Sequence, residues 1–320
     1  MSRDKTQLKL QQGATSVALS YEQAPAGLKS EYSEQAGSED GLAEAESLAP
    51  DLPQTKRYAL CVEYAGAAYR GWQTQKEKDV PSIQETVEQA LSAIANEPVK
   101  VICAGRTDAC VSGTYQIIHF DTVAERPERA WVMGTNTKLP DDIAIRWAKR
   151  VDDSFHARFS ALERRYRYLI YSAPVKPGLL SRGVTWTHKQ LDMSRMQAAA
   201  DYLIGEHDFT SYRAIGCQAK SPVREVRAMD IYRAGELIVI DVRANAFLHH
   251  MIRNFAGVLM KIGAGEAEPV WAQQVLDARD RTQGGVTAPP YGLYFVDVKY
   301  PDQYELPKSE LGPYFLMQNG

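Results

Sequence analysis

The stretch Cys103-Ala-Gly-Arg-Thr-Asp-Ala-Cys-Val-Ser-Gly-Thr-Tyr-Gln-Ile-Ile-His-Phe-Asp121 decides how the chain is read. The apolar run Val99 to Ala104 leads into it as a strand, and Tyr115 to Phe120, a second run of strong β-propensity, leads out. Between them Gly105-Arg106-Thr107-Asp108 breaks the pattern. Glycine and aspartate between two strands ordinarily make a turn. Loops held by rigid strands are also where catalytic groups tend to sit. Arg106 adds a cation beside Asp108, which favours the ionised carboxylate. The stretch therefore predicts strand–loop–strand, with an aspartate displayed on the loop.

Working outward, Arg57 to Tyr64 alternates as a strand, and Tyr69-Arg70-Gly71-Trp72-Gln73 reads as a surface loop with aromatic anchors. Ser82-x-x-Glu85 is a capping box, and Ile83, Val87, Leu91 and Ile94 behind it make one helical stripe. Asn96-Glu97-Pro98 ends that helix. Downstream, Pro127 to Met133 reads as a short helix, and Ile143 to Val151 as a strand. Arg164 to Ser172 is a strand with Tyr166, Tyr168 and Ile170 on one face and Arg165 and Arg167 on the other. Asp192 caps a helix to Ile204. Arg224 to Arg233 and Glu236 to Ala244 make a hairpin around Ala234-Gly235. Helices over Leu248 to Ile262 and Val270 to Ala278 and a strand over Tyr291 to Val298 close the chain. The expected fold class is α/β (α+β). Two similar mixed α/β domains, each a mostly antiparallel sheet with helices on one face, span 56–160, with the Asp108 loop, and 161–320.

Composition agrees with a globular protein: 44% hydrophobic and 24% charged. No apolar run approaches the roughly 20 residues of a membrane span, and no secretory signal is visible. Cys61, Cys103, Cys110 and Cys217 are scattered without a C-x-x-C pair, which argues against zinc or a disulfide framework and fits a cytoplasmic protein. Residues 1–55 hold nine acids against four bases, a net −5 in a chain of −3, which leaves +2 for the remainder. That acidic extension is poor in aromatics and is expected to be disordered.

Ala104-Gly105-Arg106-Thr107-Asp108-Ala109 closely resembles the signature of the TruA family of tRNA pseudouridine synthases around its catalytic aspartate. Leu139-Pro140-Asp141-Asp142-Ile143, Phe155-His156-Ala157-Arg158-Phe159-Ser160-Ala161, Arg165-Tyr166-Arg167-Tyr168, Asp208-Phe209-Thr210-Ser211, Ala244 to Asn254 and Gly292-Leu293-Tyr294 resemble further family blocks, in the family's order. Together they cover nearly all of residues 57–313.

The resemblance implies an isomerase that converts uridine to pseudouridine at positions 38, 39 and 40 of the tRNA anticodon stem-loop, without cofactor or metal. It also implies a basic cleft between two domains related by a pseudo-twofold, and a homodimer. It makes Asp108 the catalytic carboxylate and Arg253 its cation. Tyr166 becomes the ring that stacks on the target base, Arg106 a neighbour of the aspartate, and Leu293 a pocket residue. Arg253 falls near a helix start, where a cation gains nothing from the dipole, a hint of a role beyond the helix. Arg158, Arg164, Arg165, Arg167, Lys220, Arg224 and Arg227 are candidates for phosphate contacts. His249-His250 suggests a metal, but adjacent positions on a helix point about 100° apart, which sets that reading aside. Two departures stand out. Cys110 and Ser112 occupy positions where the family usually has glycine and often has histidine. If the backbone at Cys110 needs φ > 0, the alternative is a catalytically impaired tRNA-binding protein of the same fold. An unrelated aspartate-dependent hydrolase would normally carry an acidic metal cluster, and the sequence has none.

Overall fold

The computed structural model describes residues 54–74, 80–308 and 310–316, which belong to one compact unit, Asp51–Gly320. The expected disorder of residues 1–55 lies almost wholly outside the described residues. The elements in chain order are β1 (Lys56–Tyr64), α1 (Ile83–Ala95), β2 (Ile102–Cys103), β3 (Ser112–Thr122), β4 (Ile143–Val151), β5 (Glu163–Ser172) and β6 (Thr185–Thr187). Then come α2 (Met193–Asp201), β7 (Gly205–Asp208), β8 (Val223–Ala234), β9 (Leu237–Ala244), α3 (Met251–Gly263), α4 (Trp271–Ala278) and β10 (Leu293–Lys299).

The strands form one sheet in the order β4-β1-β3-β10-β5-β9-β8-β7, with β2 beside β3 and β6 beside β5. It is mostly antiparallel; β10 runs parallel to β3, and β6 parallel to β5. The expected boundary near residue 160 falls between β4 and β5, and the sheet runs across it. The join is short: Tyr294 opposite Ser112 and Phe295 opposite Gly113.

Local signals explain the helices. Ser82 accepts the Glu85 amide at 3.1 Å, the expected cap of α1, and Ile83, Val87 and Leu91 pack against Tyr58, Leu60 and Val62 of β1. Asp192 caps α2 through the amides of Ser194 and Arg195. In α3 the stripe Ile252, Phe255, Leu259 and Ile262 is buried against Tyr166, Tyr168 and Ile170 of β5 and against α2. A fully buried ring such as Phe255 is worth about 3–5 kcal/mol against truncation to alanine. Leu169, on the opposite face of β5, packs with Val239, Tyr294 and Val296 in a separate cluster. So β5 is buried on both sides, and its alternation fixes which side each tyrosine faces.

Three expectations need correction. The helix expected over Pro127 to Met133 contains a five-residue π turn, Ala130–Gly134. The strand entering the Asp108 loop shrinks to Ile102–Cys103. The helix expected from Leu248 begins three residues later, at Met251, because His250 takes a left-handed conformation, φ 61°. That last shift matters for the site.

Candidate active site

Asp108 lies on the loop between β2 and β3, and backbone bonds pin that loop on both sides. Ala104 donates to Ile117 O at 2.8 Å, and the Gln116 amide side chain brackets Gly105, donating to its carbonyl and accepting from its N–H. The segment Tyr69–Trp72 braces it from behind: Trp72 donates to Thr107 O at 3.0 Å and Cys110 to Tyr69 O at 3.2 Å. Gly71, φ 96°, fits between them, since a Cβ there would stand 2.6 Å from Thr107 O and 2.8 Å from Asp108 C. The reading of this segment as a surface loop missed that role. Its aromatic anchors are as expected, with Tyr69 and Trp72 buried. Tyr64 Oη and Thr107 Oγ1 meet at 2.9 Å beneath the loop.

Arg253 reaches this loop from the first turn of α3. Its Nη1 stands 3.3 Å from Asp108 Oδ2, and its Nε donates to Ala288 O at 2.8 Å. Gly257 permits the second contact, because the chain at Val286 runs against α3 where any Cβ would stand 1.9 Å from Val286 O. The pair is mostly shielded, with 15% of the arginine side chain and 22% of the aspartate exposed. At about 3–4 Å in such surroundings the attraction is several kcal/mol. That outweighs the dipole penalty of about 0.3–1 kcal/mol for a cation in a first helical turn.

His249 and His250 do not lie in the helix, so the angular argument against their acting together fails. His249 Nε2 stands 3.4 Å from Asp108 Oδ1, and His250 Nε2 3.4 Å from Oδ2. Burial lowers the His250 pKa, and Asp108 pulls the other way. Sequence reasoning missed both residues; the signal was present in the adjacent pair, but it was read as helical. The ligand atoms of Asp108, His249 and His250 all lie within 4.8 Å of one another, close enough for a three-ligand cation site. The electrostatics oppose a dication there, because Arg253 holds the same carboxylate. Among the described residues, Asp108 is also the one acid lining a cleft that carries Arg70, Arg106, Arg158, Arg164, Arg224 and Arg253.

That cleft has a volume of about 1450 Å³. Tyr166 and Leu293 line it, though both are largely buried. The Tyr166 ring stacks on Phe295 at 4.6 Å and meets Phe247 edge-on at 5.1 Å. Burial drives its phenol well above the usual tyrosine range, so it stays protonated. Tyr168, on the same face, is a core residue, its hydroxyl on Thr185 and Pro289 O. Arg106 is exposed in the cleft. Among the other arginines, Arg158, Arg164 and Arg224 line it. Arg164 is spent on the carbonyls of Ala104, Arg158, Ala161 and Asn245, with no carboxylate partner among the described residues, and so leaves its charge in the cleft. Arg165 and Arg167 point away and clamp buried Asp241, and Arg227 pairs with Glu163 and Glu225. Lys220 is not among the lining residues.

Both departures from the family pattern have a structural place. Cys110 does take the left-handed conformation, φ 64°, as the usual glycine suggests. Asp108 nonetheless reaches Arg253. Ser112, at the start of β3, accepts the Gly66 amide at 3.1 Å. All four cysteines are free. No helix of the described residues is long and apolar enough to cross a membrane.

A family model described as tRNA pseudouridine synthase matches residues 60–160 and 199–301, which include Asp108, Tyr166's neighbouring strand β9, Arg253 and Leu293. A protein of Pseudomonas aeruginosa named tRNA pseudouridine synthase A is 58% identical over 274 residues, 86% of this chain and 95% of that one. Proteins of the same name from Coxiella burnetii and Colwellia psychrerythraea are 55% and 54% identical over 260 residues, 81% of this chain and 99% and 100% of theirs. The chain belongs to the TruA family of tRNA pseudouridine synthases.

Proposed function

We propose that this protein isomerises uridine to pseudouridine in tRNA, at positions 38, 39 and 40 of the anticodon stem-loop. The observation that carries the reading is the pairing of Asp108 with Arg253 at 3.3 Å, inside a cleft lined, among the described residues, by six arginines and a single acid. The arginines supply a positive field for phosphates. A uridine in a stem must leave its stack before its glycosidic bond can be attacked, and a flipped base needs an aromatic wall. Tyr166 and Leu293 provide an apolar floor for it.

The reaction breaks N1–C1′, turns the base, bonds C5 to C1′, releases the C5 proton and leaves N1 carrying a proton in place of its bond to the ribose. Atoms are otherwise conserved, so neither oxidant nor metal is required. Asp108 acts on the ribose, either by attacking C1′ or by taking a ribose proton. Either task needs an ionised carboxylate shielded from bulk water. Arg253 pairs with it at 3.3 Å, and His249 and His250 each stand 3.4 Å from one of its two oxygens. Arg106 stands in the cleft to hold a phosphate or help displace the base. The protein works in the cytoplasm as a homodimer of two-domain subunits, 56–160 and 161–320, as the family resemblance implies.

The test is tritium release from tRNA carrying 5-tritiated uridine, with the modified position mapped afterwards. Asp108→Asn, isosteric but neither nucleophile nor base, should abolish release while tRNA affinity stays near wild type. Residual activity within tenfold of wild type would remove Asp108 from this role, and pseudouridine mapped elsewhere would reject the assigned positions.

A further inference from the structure

One aromatic ring beside the cleft is built into the open. Phe159 is 75% exposed, yet the turn that carries it is held by hydrogen bonds from within and from below. His156 donates its N–H to Ser160 Oγ at 3.0 Å, and Ser160 returns its N–H to His156 O at 2.9 Å. The His156 imidazole accepts at Nδ1 from the amides of both Arg158 and Phe159, each at 3.1 Å. Below, Ala157 donates to His119 Nδ1 at 3.1 Å and accepts from Tyr300 Oη at 2.6 Å. Arg164, itself in the cleft, donates to Arg158 O at 2.6 Å.

The result is a fixed stack. The His156 ring lies 4.3 Å from the Phe159 ring at 30°, backed in turn by His119 at 4.8 Å. The Arg158 guanidinium stands 5.6 Å from the Phe159 centroid and also lines the cleft that contains Asp108. A turn held this firmly does not need an exposed phenylalanine for its own stability, because the ring contributes little burial. Chain physics would put a polar residue there. An aromatic face held beside an arginine-lined groove is the arrangement by which unpaired bases are gripped, with cations on the phosphates and a flat ring under the base.

We propose that Phe159, presented by the turn 156–160, is a stacking platform for an unpaired nucleobase of the tRNA substrate next to the target uridine. The proposal rests on the tRNA reading above and adds a contact outside the reacting residues. Arg158 takes the adjoining phosphate. Stacking of this kind tolerates any base, since each offers a π face, so the platform contributes affinity and placement rather than sequence choice.

The experiment uses the full-length protein and a tRNA anticodon stem-loop carrying 2-aminopurine at loop positions in turn. Phe159→Ala should weaken binding and raise KM about tenfold, in line with stacking energies of about 1–3 kcal/mol per base. It should leave kcat within about twofold and the melting temperature unchanged. Phe159→Trp should restore binding, and its fluorescence should be quenched by the stem-loop. For at least one labelled position, wild type should perturb 2-aminopurine emission and Phe159→Ala should not. Wild-type affinity in Phe159→Ala overturns the proposal. So does a fall in melting temperature of several degrees with affinity unchanged, which would make the ring structural. A wild-type protein that releases no tritium sinks the proposed reaction instead, and the binding measurements stand apart from that result.

Discussion

Replacing Cys110 with glycine is expected to stabilise the protein without slowing it. Cys110 holds φ 64° two residues after Asp108. The left-handed conformation costs an L-residue roughly 1–2 kcal/mol and glycine nothing. Glycine gives back about 0.5–1 kcal/mol through the greater freedom of the unfolded chain. The thiol adds little, its Sγ lying 3.8 Å from Ala67 O. The balance is a gain of about 0.5–1 kcal/mol, or about 1–4 °C in melting temperature for a protein of this size. Cys110→Ala isolates the cause, because it discards the sulfur but keeps the Cβ and so should gain nothing. The bond from the residue 110 amide to Tyr69 O survives in all three proteins, so Asp108 keeps its place and single-turnover tritium release should be no slower than wild type. The assay is a set of denaturation midpoints at one pH, paired with those rates. A glycine variant less stable than the alanine variant would refute the strain argument outright.

Three other outcomes follow from the same geometry. Gly71→Ala drives a Cβ into Thr107 O and Asp108 C, so the loop must shift, and kcat should fall at least tenfold; an unchanged kcat would show that the brace is dispensable. Affinity for tRNA should fall steeply with salt as phosphate counterions are released, and a flat dependence measured by filter binding would remove the arginine cleft from RNA binding. His119 is pushed down to about 4, by burial first and Arg57 next, and accepts the Ala157 amide as a neutral ring. Its folded pKa lies below the unfolded value of about 6.5, so its share of stability is complete above that pH and is lost as pH falls toward 4. The denaturation midpoint should drop between pH 7 and 5, and less so in His119→Asn; equal drops would clear His119.

Legibility in the sequence followed the range of the interactions. Helix α1 could be read because its cap, Ser82, and its stripe are local, and β5 because alternation alone places Tyr166 opposite Arg165 and Arg167. The start of α3 could not be read: Leu248 continues the apolar period, and nothing in the residue type His250 announces a left-handed backbone. That error hid the two imidazoles at Asp108. The brace behind Asp108 was equally hidden, since the atoms that crowd Gly71 are backbone atoms of Thr107, Asp108 and Ala109, 36 residues and more away, which leave no mark on side-chain pattern. Asp108, Arg253, Tyr166 and Leu293 were assigned by family resemblance, and the structure brings all four to one cleft. The merging of both halves into one sheet depends on two register pairs between β3 and β10, too few to leave a periodic signal.

Strand β10 is the last in the described chain, but it sits between β3 and β5 in the middle of the sheet. On the ribosome, both flanking strands are therefore synthesised with an open edge that stays unfilled until residues 293–299 emerge. An unpaired edge is a template for other chains. A nascent chain halted before Leu293 should thus be prone to association instead of folding into a smaller, inactive version of the protein. Asp108 and Tyr166, complete early in synthesis, wait for the same strand before they share a cleft, so tRNA cannot be modified until translation has passed β10.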